Sequence, residues 1–97
     1  SYHKMSEKHC YIVSYDLCQP NRNYQDLYAA LKSFPVWARL TESTWAIVTD
    51  KTHAEIRDFL MKYIDNNDRL IVILSGKSAA WTKVLAPNEW VKNNLVL

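Results

Sequence analysis

The chain has 97 residues, 48% of them apolar and 23% charged, and a formal net charge of +2. That length is one domain's worth, and that composition belongs to a folded globule rather than a disordered tail. The single glycine, Gly76, excludes a Walker phosphate loop and a GxGxxG dinucleotide fingerprint, both of which need several.

Taken in chain order, residues 1–4 precede Met5 and read as a cloning remnant ahead of the natural start. His9 to Leu17, HCYIVSYDL, is rich in β-branched and aromatic residues and runs into a polar Cys-Gln-Pro-Asn turn, which predicts a strand. Tyr24, Leu27, Tyr28 and Leu31 follow the i, i+3, i+4, i+7 spacing of a helix over 24–33. Asn23 is its expected N-cap, and Asp26 in the first turn suits the helix dipole. Phe34-Pro35 ends that helix, because a residue before proline is pushed out of the α region.

Val36 to Leu40 and Thr44 to Thr49 predict two strands joined by the short turn 41–43, hence a hairpin. A second helix is predicted from His53 to Ile64. Thr52 and Glu55 form a T-x-x-E capping box, and Ile56, Phe59, Leu60, Tyr63 and Ile64 form the apolar stripe. Arg69 to Leu74 predicts the fourth strand after the Asp65-Asn66-Asn67-Asp68 turn. Residues 77–97 form a tail whose Trp81, Trp90, Leu95 and Leu97 should dock, since large apolar side chains on a free tail invite aggregation.

The order β-α-β-β-α-β is the α+β, ferredoxin-like arrangement: a four-stranded antiparallel sheet with two helices on one face, in one domain over 1–97. A sheet with a wet second face should alternate apolar and polar residues. Strands one, three and four do not. Their second face therefore needs a cover, either the C-terminal tail or a second copy of the chain.

Cys10 and Cys18 have neither a disulfide-framework pattern nor a zinc spacing, which fits reduced thiols in a cytoplasmic protein. The longest apolar run, near Leu70 to Leu74, is far short of the ~20 residues of a membrane span, and no membrane association is expected. The histidines His3, His9 and His53 lack ligand spacing. Asp16 ends an otherwise apolar or neutral strand. It reads either as a turn aspartate bonded to loop N–H groups or as an oxygen ligand for a hard divalent cation. A two-fold dimer that paired two such carboxylates would make the better metal site. The basic residues are dispersed. A dimer would align Arg22, Lys32, Arg39 and Lys77 into a phosphate-binding track; singly they read as solvated surface charge. Trp37, Trp45, Trp81 and Trp90 suit either base stacking or packing.

The segment YIVSYDL, ending in Asp16, resembles the first strand of the CRISPR-associated Cas-two family. Tyr11 to Leu95 is similar to the small Cas-two-like proteins labelled SinR-like. The matching pieces are YDL at Tyr15, Pro20 with Tyr24 and Leu27, STW at Ser43, the TD pair at Thr49 and IRDFL at Ile56. NDRLIVILSG up to Gly76, Trp81, and WVKNNL at Trp90 complete them. More distantly the chain resembles VapD-type toxin ribonucleases.

The resemblance implies a ferredoxin-like homodimer whose sheets pack face to face. It implies a DNA- or RNA-associated protein, with Mg²⁺-dependent endonuclease chemistry centred on Asp16 as catalytic and metal-binding residue. The chain departs from the family in strands two and three, where WARL and STWAIV stand, so a docking surface for a protein partner does not carry over. Two other classes stay open: a non-catalytic binding or scaffolding dimer in phage–host defence or toxin–antitoxin biology, and a small-molecule-binding regulatory dimer.

Overall fold

The computed structural model describes residues 7–19 and 23–96. The expectations for residues 1–4, Arg22 and Leu97 lie outside them. The chain runs β1 (His9–Asp16), α1 (Gln25–Lys32), β2 (Val36–Thr41), β3 (Thr44–Thr49), α2 (His53–Met61), β4 (Arg69–Leu74) and α3 (Asn88–Leu95). The sheet order is β2-β3-β1-β4, with every neighbouring pair antiparallel. β1 thus lies between β3 and β4, and β2 and β4 are the two edges. This is the ferredoxin-like α+β topology.

Alternation along β1 sorts its side chains. Tyr11, Val13 and Tyr15 join the core under α1 and α2, with Leu27, Leu31, Trp45, Ile47, Ile56 and Leu60. Cys10, Ile12, Ser14 and Asp16 take the opposite face.

The two-helix expectation is corrected by α3. It covers the second face from the same chain, so Val91 and Leu95 pack with Cys10, Ala38, Leu40 and Ala46 in a second core. Trp81 and Trp90 pack against that cluster. Val91 and Leu95 are one helical turn apart, and this pair is the whole buried stripe of α3. Two buried positions in eight residues carry too little periodicity to identify a helix from sequence. Two bonds anchor its approach: Leu85 N–H donates to the Leu40 carbonyl at 2.9 Å, and Ser75 Oγ donates to the Leu95 carbonyl at 3.1 Å.

The helix ends follow local chemistry. At α2, Thr52 Oγ1 accepts from Glu55 N–H and the Glu55 carboxylate accepts from Thr52 N–H, the reciprocal box expected. α2 stops at Met61 rather than Ile64, although Tyr63 and Ile64 still pack on the core. At α1 the N-cap is Tyr24, without a side-chain cap bond. Asn23, the expected cap, lies one residue before it, and its Oδ1 accepts from Gln25 N–H at 3.0 Å in a local turn. Among the described residues no helix is long and apolar enough to cross a membrane.

α3 does not cover the whole second face. On the edge strand β4, Ile71 is 54% and Ile73 50% exposed. The register pairs Ile73 with Ile12 and Ile71 with Ser14, which places both isoleucines on the α3 side of the sheet.

Candidate functional site

Asp16 is the last residue of β1 and projects from the face opposite α1 and α2. The β1–β4 register sets it directly across from Arg69, the first residue of β4. Arg69 Nη1 donates to Asp16 Oδ2 at 2.8 Å, and both side chains are largely exposed. Ser14, two residues back on the same face, shares a hydroxyl hydrogen bond with Thr44 of β3 at 3.2 Å. Ser14, Tyr15, Asp16, Arg69, Leu70 and Ile71 line an open cleft of about 220 Å³.

Asp68 fixes the chain just beyond this cleft. Its carboxylate accepts from Cys18 N–H at 2.7 Å, from Asp65 N–H at 2.7 Å and from Tyr24 OH at 3.0 Å. It therefore ties the loop leaving β1 to the turn entering β4, the two segments that carry Asp16 and Arg69. Desolvation raises the Tyr24 phenol above its ordinary range, and its bond to Asp68 adds to the shift.

Magnesium takes a near-octahedral set of oxygens, usually one or two carboxylates completed by water and phosphate. Among the described residues Asp16 is the one carboxylate lining this cleft, and one of its oxygens is already engaged by a guanidinium. Among the described residues no three His, Cys, Asp or Glu side chains come together as a metal site. The described residues of a single chain bring no second carboxylate to Asp16 that would complete such a set.

Within one chain the described residues of the basic track expected for a dimer lie apart. Lys32 ends α1 and Arg39 sits in the edge strand β2, whereas Lys77 follows β4 at the opposite edge. Lys32 and Arg39 meet a common aromatic cluster. Lys32 Nζ stands 5.6 Å from the Trp37 ring centre. The Arg39 guanidinium lies 4.7 Å from the Tyr28 ring centre and 5.3 Å from that of Trp45. Nη2 and Nε of Arg39 also donate to the Glu42 carbonyl, at 2.7 and 3.2 Å. The tryptophans split by role. Trp45 is fully buried and donates Nε1–H to Tyr15 OH at 2.9 Å, whereas Trp37 is 39% exposed.

Arg69 and Tyr28 are the site residues that sequence reasoning missed. Arg69 was visible as a basic residue opening the fourth strand, but its pairing with Asp16 depends on the β1–β4 register. Tyr28 looked like one more residue of an apolar helical stripe.

No known protein-family profile matches the chain. A solved structure described as hypothetical protein TT1823 from Thermus thermophilus is similar, with a TM-score of 0.63 at 24% identity. The match covers 84% of this chain and 99% of that one. At this identity the likeness shows the fold.

Proposed function

We propose that the protein is a Cas-two-like homodimer that binds nucleic acid, with the second face of β4 as its dimer contact. One observation carries the reading. The exposed Ile71 and Ile73 lie on the same uncovered strip of sheet as the Asp16–Arg69 pair. Exposed isoleucines on an unpaired edge strand are costly in water and open to edge-to-edge pairing. A second copy placed there two-fold would bury them and bring two Arg69 guanidinia to one seam. An arginine fork matches phosphate oxygens in geometry and charge. The resemblance to the Cas-two family supports the same partner class, and the net charge of +2 is compatible with it.

Binding without cleavage is the reading the geometry favours. Among the described residues of one chain no ligand set for the endonuclease chemistry implied by the resemblance comes together, and Asp16 pairs with Arg69. The test is fluorescence anisotropy with labelled DNA and RNA, in magnesium and in chelator, with strand integrity followed on gels. Salt-sensitive binding that leaves every strand intact is the expected result. Magnesium-dependent cleavage that disappears in Asp16→Asn would establish the nuclease reading instead.

A further inference from the structure

The cluster at the β2 edge is made of parts that fit an unpaired base and its phosphates. Trp37 keeps ring surface in solvent although the packing around it is already supplied by Trp45, whose ring centre is 5.7 Å away. Tyr28 stacks on Trp45 with the planes 20° apart, and Trp37 leans on this pair with its ring tilted 46° to that of Trp45. Lys32 stands over the Trp37 ring, on a side chain long enough to swing to a phosphate. Arg39 is held between the aromatic faces and the Glu42 carbonyl, which accepts from Nε and Nη2, and it also meets the Tyr15 hydroxyl, so the five donors of its guanidinium are shared among fixed partners and an incoming acceptor.

Trp37 and Arg39 are two residues apart on β2, hence on one face and about 6.7 Å apart along the strand. That is close to the length of one extended nucleotide. β2 is an edge strand, so no neighbouring strand blocks approach from that side.

We infer that Trp37, Lys32 and Arg39 form a binding site for single-stranded nucleic acid, with a base stacked on Trp37 and flanking phosphates held by Lys32 and Arg39. The inference rests on the nucleic-acid-binding reading and specifies the form of the ligand. A duplex hides the faces of its bases, whereas an unpaired strand offers each base to an aromatic ring. The site is at the opposite sheet edge from the proposed dimer contact, so both surfaces can be occupied together.

The experiment is anisotropy with a labelled oligo-uridine or oligo-thymidine strand beside a hairpin duplex, together with quenching of tryptophan fluorescence. Wild type should prefer the single strands and be quenched by them. Trp37→Ala should weaken single-strand binding about 10-fold, the scale of one lost base stack. Trp37→Phe should restore most of it. Lys32→Ala should lower the slope of log affinity against log salt by about 0.7. Lys92→Ala, on the exposed side of α3, should change neither, and matching melting curves will show that each variant is folded. Single-strand binding that stays within twofold of wild type in Trp37→Ala overturns this site while leaving the nucleic-acid-binding reading in place. Failure of wild type to bind any strand at low salt overturns both.

Discussion

Arg69 stands directly across the β1–β4 ladder from Asp16, its guanidinium 2.8 Å from the carboxylate. An aspartate at the end of a first strand invites a metal, but the facing strand supplies its cation. Because both groups are largely exposed, the pair contributes at most about 1 kcal/mol to stability. Its larger consequence is electrostatic, since Asp16 cancels much of the charge that Arg69 would offer to phosphate.

Asp16→Asn should therefore change stability by less than about 1 kcal/mol and tighten nucleic-acid binding. Arg69→Ala should weaken binding and flatten its salt dependence. Melting curves and anisotropy titrations of the two variants make the comparison. Weaker binding in Asp16→Asn would contradict the counter-ion role.

The Thr52–Glu55 box sets a second expectation. Glu55 accepts from Thr52 N–H, and this bond lowers its carboxyl below the ordinary 4.5. A lowered folded-state value means stability that is present above pH 4.5 and is lost as pH falls through the folded value. Thr52→Ala should cost about 1 kcal/mol at neutral pH. Glu55→Gln should reduce the loss of stability on acidification. Denaturation midpoints between pH 3 and pH 7 report both effects.

Much of the fold was legible because each element is marked by chemistry within a few residues. Apolar and β-branched residues define the strands, Phe34-Pro35 stops α1, and Thr52–Glu55 starts α2. The missing cover on the second face was also legible, from strands that fail to alternate. α3 was not, because only Val91 and Leu95 form its stripe and their burial comes from residues far away in the chain. The candidate site was legible at Asp16, Lys32 and Arg39 as chemical types. Which of them meet is a matter of strand order: β1 neighbours β4, so Asp16 meets Arg69. α1 abuts β2, so Lys32 meets Trp37.

The second core predicts unequal cysteines. Burial pushes the Cys10 thiol up to about 11, whereas Cys18 is exposed. Near pH 8, Cys18 should react with a thiol reagent and Cys10 should remain protected. Truncation after Gly76 removes α3, uncovers Cys10 and should destabilise the protein. Leu95→Ala should cost about 2–5 kcal/mol. A truncated chain with unchanged melting and one reactive thiol would show that α3 does not hold the second face.

Phe59 packs edge-on against Phe34 and Tyr63, with ring centres 5.7 and 5.6 Å away. Phe59→Ala should cost about 3–5 kcal/mol in denaturant titration, well above the effect of losing the Thr52 cap.

The measurement closest to the central claim is light scattering at micromolar concentration, coupled to a nucleic-acid titration, on wild type and Ile73→Lys. A lysine at position 73 places charge on the proposed contact, beside α3, and leaves the core under α1 and α2 untouched. Wild type should show twice the chain mass and salt-sensitive binding. Ile73→Lys should be a folded monomer that binds more weakly. A wild-type monomer, or a variant that remains dimeric with unchanged binding, would contradict a dimer formed through β4.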